Sequence, residues 1–263
     1  MYQQFWFQRL RAWSVAVALG CVLLTTGCNQ TTTPEAIVGS PSPSPSAIVT
    51  TSPTSQSDSK EPVQFPELAR LEGKATVVMV VKGSPIILEI DGTNAPITAG
   101  NFVDLVDKKV YDGLIFHRVV RQPQPFVVQG GDPQGKNPNV KPESLGTGGY
   151  IDPTTKAARN IPLEIKNSNG KLIYGQTFEM AKVSGAPKLR HTRGALAMAR
   201  SAYPDSASSQ FYVALADLAF LDGSYAVFGN VTKGMEAVDT IQQGDRIDSA
   251  IVTQGIENLK NRR

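Results

Sequence analysis

The sequence predicts a mainly β domain, built as a closed antiparallel barrel with two helices. Three observations point there. Two apolar, largely β-branched runs, Ala75–Val81 and Pro85–Ile90, flank the short break Lys82-Gly83-Ser84. Further short apolar runs recur down the chain between Gly, Pro, Asn and Asp. Only two segments switch to helical spacing. Closure suits many short strands because it removes unpaired edges, which invite aggregation. Periodicity alone leaves a two-sheet sandwich open as well.

In chain order, Lys82-Gly83-Ser84 reads as a hairpin turn joining the first two strands. Pro96–Lys108 reads as a helix, with Thr98 as N-cap and Phe102, Leu105 and Val106 on its apolar face. Strands follow at 114–120, 126–130, 195–199, 210–215, 225–231 and 248–253. A second helix is predicted at 234–242, with Met235, Val238 and Ile241 on one face. Residues 133–190, rich in Gly, Pro, Lys and Asn, read as long loops. Ile161–Ile165 is a short extended piece within them. No internal repeat is seen.

The N-terminus reads as an export signal. Arg9 and Arg11 precede a short apolar run, Ala12–Leu24, which ends in Leu24-Thr25-Thr26-Gly27-Cys28. This resembles the lipobox of bacterial lipoproteins, with Thr25 where leucine is usual. The resemblance implies removal of residues 1–27 and lipidation of Cys28, hence an exported, membrane-anchored chain. It would face the periplasm, the cell exterior or a lumen. An uncleaved anchor, or a secretory signal cut nearby, is the alternative. Residues 28–65 form a Ser/Thr/Pro-rich linker in which alternating prolines favour extended conformers. The linker is either a spacer above a membrane or a tail without a role. The folded domain is then 66–263.

Composition bounds the function. The 263 residues carry a net charge of +3, which falls to about +1 without the two arginines of residues 1–27. That offers no concentrated basic face for nucleic acid. The only cysteines are Cys21 and Cys28, so the domain has no internal disulfide. With His117 and His191 the only histidines, no metal site is expected.

Ordered blocks then carry the function: Ala95-Pro96 through Asn101-Phe102, Phe116-His117-Arg118, Gln129-Gly130-Gly131-Asp132, Gly146-Thr147-Gly148-Gly149, Ser209-Gln210-Phe211, Leu221-Asp222-Gly223 and Val227-Phe228-Gly229. In this order, over roughly residues 70–255, they resemble the cyclophilin-type peptidyl-prolyl isomerases. The resemblance implies eight strands in a closed barrel with a helix over each open end. It implies isomerisation of Xaa-Pro bonds without a cofactor, acting on proline-containing segments of unfolded or exported proteins. A monomer is expected.

Residue by residue, Arg118 matches the family's catalytic arginine. Phe126, Val127, Tyr212 and Leu221 match its proline pocket, with Val127 in place of a frequent methionine. Tyr212 replaces a frequent phenylalanine and leaves a hydroxyl at the wall. Gln129 matches a glutamine that binds the substrate backbone and helps position the arginine. Ala199 and Arg200 match a strand that pairs with the peptide; Arg200, where asparagine is common, adds a cation that biases sequence preference. Gln210 matches a polar residue of the neighbouring pocket. Phe220 and Tyr225 stand where many relatives carry tryptophan and histidine. Phenylalanine lacks the indole N–H, so cyclosporin-type macrocycles are expected to bind weakly.

Alternatives remain at this level. The same groove would serve a non-catalytic peptide-binding scaffold or holdase, or an envelope lipoprotein whose domain has lost its role. A Ser/His/Asp hydrolase is disfavoured, because the chain has no Gly-x-Ser-x-Gly elbow. His117 and His191 read as structural. Arg121–Pro125 is longer than the family's turn and is either a substrate selector or a tolerated insertion.

Overall fold

The computed structural model describes residues 65–262. The export signal, Cys28 and nearly all of the linker lie outside those residues. The strands are β1 (Arg70–Leu71), β2 (Lys74–Val81), β3 (Ser84–Asp91), β4 (Arg118–Val120), β5 (Val127–Gly130), β6 (Glu164–Lys166), β7 (Leu172–Tyr174), β8 (Ala195–Met198), β9 (Phe211–Ala214), β10 (Val227–Lys233), β11 (Ile247–Gln254) and β12 (Leu259–Lys260). The helices are α1 (Pro96–Asp107) and α2 (Met235–Thr240).

The hairpin β2–β3 shows why these residues form strands. Ala75, Val77, Met79 and Val81 point inward and alternate with half-exposed neighbours; Ile86, Leu88 and Ile90 do the same opposite. Lys82 and Gly83 both take positive φ, 52° and 75°. That is the twist of a two-residue hairpin turn, and glycine makes the second position cheap.

One antiparallel sheet runs β11-β2-β3-β10-β8-β9-β5-β4. It curls into a half-barrel. The expected closed barrel is not completed as strand ladder: β11 and β4 are the two edges. Strand β4 covers only 118–120 of the predicted 114–120, because the segment before it is irregular. That segment meets β11 through the isolated bridge Ile115–Arg246. Four backbone hydrogen bonds of 2.8–2.9 Å join residues 113–116 to 244–247.

Inside the curl, Phe102 of α1 meets Tyr111, Phe211 and Phe228 at centroid distances of 5.0, 5.4 and 5.1 Å. Each such ring adds about 0.5–1.5 kcal/mol per pair beyond the area it buries. A second apolar cluster lies on the outer face of β5, β8, β9 and the start of β10, around Val127, Ala197, Tyr212, Ala214 and Val227. This outer cluster positions the site.

Helix α1 begins otherwise than predicted. Pro96 occupies its first turn and Ala95 is the N-cap, so Thr98 lies inside the helix and is fully buried. The missing cap comes from Glu164 of β6. Its carboxylate accepts the Ile97 and Thr98 amides at 3.1 and 2.8 Å. Burial pushes the Glu164 carboxyl up, and the two amide donors pull it back. Residues 133–190 are therefore more than surface loop. They hold the β6–β7 pair and the carboxylate that completes α1.

Segment Arg121–Pro125 is tied down as well. Arg121 Nη2 donates to Val238 O and Ile241 O at 3.1 and 2.8 Å, satisfying carbonyls at the end of α2.

Candidate functional site

Directly paired residues on neighbouring strands share a face. Arg118 of β4 pairs with Gln129 of β5, Gln129 with Tyr212 of β9, and Tyr212 with Ala197 of β8. The sheet thus lays a cation, an amide and an aromatic ring in one row on its outer face. Phe126, Val127, Gln129, Ala199, Arg200, Tyr212, Leu221 and Tyr225 join Arg118 around a cavity of about 120 Å³.

The polar groups form a directed relay. Arg118 Nη1 donates to Gln129 Oε1 at 3.1 Å. Gln129 Nε2 donates to Gln210 Oε1 at 3.1 Å, and Gln210 Nε2 donates to Gly148 O at 2.7 Å. Each link fixes the orientation of the next amide. Arg118 is exposed, with its guanidinium carbon 5.4 Å from the Phe126 ring centroid. Only one of its five N–H donors is engaged by Gln129, which leaves others for a bound group at the cavity mouth.

Gln210 lies outside that cavity. It lines an adjacent one of about 450 Å³ with Gly146–Gly149, Ser206 and Ser208. Gln129, Ala199 and Arg200 line both. Phe220 is 71% exposed and stacks on Phe126 at 6.1 Å, so it forms rim rather than floor.

Two expectations change in detail. The Tyr212 hydroxyl does not sit at the cavity wall but 3.0 Å from His191 Nε2. The Arg200 guanidinium is turned back on its own chain: it donates to Ser201 O, Ala202 O and Ser224 O and lies 4.7 Å from the Tyr225 ring centroid. The added cation braces the wall instead of reaching outward.

Asp132 is a residue the sequence reading gave no role. It is buried and accepts the amides of Gln134, Gly146 and Gly148 at 3.0, 2.7 and 3.0 Å. A Cβ on Gly148 would stand 2.2 Å from Asp132 Oδ1, so only glycine fits there. The loop carrying Gly148 O is thereby anchored. The available signal was an aspartate just after Gly130-Gly131 together with a second glycine-rich run; spacing could not show that the two meet.

His117 and His191 are both buried, and burial holds both below the usual imidazole range. A histidine whose pKa is lower in the folded chain takes up its proton first in the unfolded chain. The stability carried by the neutral rings is thus complete above about pH 6.5, and it is lost as pH falls from there through their lowered values. Urea unfolding from pH 7.5 to 5.5 should show falling stability. His117→Gln should flatten that slope, because it removes one of the two buried rings held neutral. An unchanged slope in the variant would place the effect elsewhere.

Comparison with known proteins agrees with this architecture. The family described as cyclophilin type peptidyl-prolyl cis-trans isomerase/CLD matches residues 76–260. The chain is 43% identical over 213 residues to a Synechocystis sp. protein named as a thylakoid lumen peptidyl-prolyl cis-trans isomerase, a match covering 76% of this chain and 52% of that one. It is 37% identical over 219 residues to the chloroplastic isomerase CYP38 of Arabidopsis thaliana, covering 76% and 47%. It thus spans about half the length of these two relatives. A crystal structure of a Cryptosporidium parvum cyclophilin-type isomerase shares the fold, with a TM-score of 0.51 at 22% identity over 69% of this chain and 98% of that one. The same protein was also crystallised in the presence of the dipeptide Ala-Pro. With 76–260 spanning all but the edges of the folded region, the chain belongs to the cyclophilin-type peptidyl-prolyl cis-trans isomerase family.

Proposed function

We propose that this chain accelerates cis/trans exchange about Xaa-Pro bonds, with Arg118 as its catalytic residue. The observation that carries the reading is the guanidinium of Arg118, held by Gln129 at the mouth of a 120 Å³ cavity whose other walls include Phe126, Val127, Tyr212 and Leu221. That volume accommodates a single small ring and is well below the roughly 300–1,000 Å³ typical of drug-sized ligands. The Ala-Pro crystal of the C. parvum relative supports proline as the occupant.

The chemistry follows from the peptide bond. Delocalisation of the nitrogen lone pair gives the C–N bond double-bond character, and rotation costs about 18–20 kcal/mol. An N–H of Arg118 donating to the prolyl nitrogen competes for that lone pair and favours the twisted state. Each ~1.4 kcal/mol gained only in the twisted state is tenfold in rate. Phe126, Val127, Tyr212, Leu221 and Tyr225 hold the ring, and Phe220 shields it. Gln129 orients Arg118 and offers an amide to the peptide backbone. Ala199 and Arg200 flank the peptide, and Gln210 receives its neighbouring residue. No cofactor takes part in any of these steps.

The domain 66–263 is proposed to act outside the cytoplasm on proline-containing segments of exported chains. An export signal over 1–27, a lipid on Cys28 and a linker over 28–65 would tether it to a membrane. The lumenal and chloroplast names of two relatives favour an exported or lumenal place. We also propose that the seam holds in solution and closes the barrel, supported by the four hydrogen bonds between 113–116 and 244–247.

The direct test is exchange NMR of an Ala-Pro peptide with the full chain. Acceleration of cis/trans exchange is expected. Binding without acceleration would replace the enzyme with a scaffold.

A further inference from the structure

Behind the cavity runs a buried polar chain that the proposed chemistry does not use. Strand alternation sends Phe211 into the interior and Tyr212 to the outer face, where its ring forms cavity wall. The Tyr212 hydroxyl meets His191 Nε2 at 3.0 Å. His191 Nδ1 lies 2.9 Å from Asp222 Oδ1, and the same oxygen accepts the His191 backbone amide at 2.8 Å. His191 is only 2% exposed.

The sense of these bonds follows from donors and acceptors. A carboxylate only accepts, so Nδ1 carries the hydrogen. In the neutral ring Nε2 is then bare, and Tyr212 must donate to it. The single hydroxyl hydrogen of Tyr212 is therefore spent inside the protein, and the cavity meets ring rather than a free donor. The His191 ring meets the hydroxyl end of Tyr212, with centroids 6.1 Å apart and planes 15° from parallel, and Tyr225 meets the Tyr212 ring edge-on at 6.2 Å and 80°.

We propose that Asp222 and His191 are positioning residues that lock Tyr212 as the specificity-determining wall of the proline cavity. The lock holds the ring at one angle and withholds its hydroxyl from the substrate. This rests on the reading that proline occupies the cavity.

A double-mutant cycle in the full chain tests it, read by NMR titration with an Ala-Pro peptide and by urea unfolding. Tyr212→Phe removes one oxygen and leaves the ring. It should raise Kd about three- to tenfold. His191→Leu should do the same. The double variant should be no weaker than the worse single, because each breaks one shared device. His191→Gln keeps a donor toward Asp222 and an acceptor toward Tyr212, and should recover most of the loss. Nitrogen NMR of the His191 ring should show hydrogen on Nδ1. Additive losses, an unchanged Kd with a lowered unfolding midpoint, or hydrogen on Nε2 would overturn the inference. A wild-type chain whose Phe126 and Tyr212 signals ignore the peptide would instead overturn the proline reading.

Discussion

Arg118→Ala should lower kcat/KM for an Ala-Pro peptide by about 10²–10³-fold, the usual loss when one preorganised donor to a transition state is removed. The urea midpoint should barely move. Arg118 is exposed, and its truncation strands only Gln129 Oε1 at a wet cavity mouth. Arg118→Lys should not restore the rate. An ammonium is a point charge and cannot donate to Gln129 and to a prolyl nitrogen in one plane. Exchange NMR at matched concentrations measures both variants. Retention of more than half the wild-type rate by Arg118→Ala would mean the catalytic group lies elsewhere.

Asp132→Ala should strike stability and activity together. Its carboxylate gathers three amide donors, one from Gln134 and two from the Gly146–Gly149 loop that lines the neighbouring cavity. Hydrogen bonds to a charged acceptor contribute about 1.5–3 kcal/mol each, and part of that returns when water reaches the freed loop. A net loss of about 2–4 kcal/mol is expected in urea unfolding. With the loop slack, Gly148 O no longer holds Gln210, and the relay to Arg118 loses its fixed end. A further drop in kcat/KM of roughly tenfold should follow, about 1.4 kcal/mol. Asp132→Asn keeps one acceptor oxygen and should fall between. A variant as stable and as active as wild type would remove Asp132 from the site's support.

Much of this was legible in the chain. The β2–β3 hairpin could be read because one face of each strand is buried and the turn sits on Lys82-Gly83. Both helices showed their apolar spacing. The residues around the 120 Å³ cavity came from ordered blocks rather than from periodicity, since each alone would pass for core. What escaped was set by long-range contact. Thr98 looked like a cap because local sequence cannot reveal a carboxylate 66 residues away. Strands β1 and β12 are two residues each and exist only because they pair with one another. Arg200 looked like a free cation, and only the fold brings Ser224 O and Tyr225 beneath it. The direction of the Tyr212 hydroxyl depended on a histidine from a separate loop.

The borrowed cap on α1 has a consequence for biogenesis. The first turn of this helix cannot receive its carboxylate cap until residue 164 has been synthesised. At about 5–20 residues per second, translation leaves the helix start uncapped for roughly 3–13 s after it is made. Pairing of Arg70 with Lys260 waits longer still, for a residue 190 positions further along. The contacts that finish the domain are therefore the last to become available, and until then its apolar strands lack the partners that cover them.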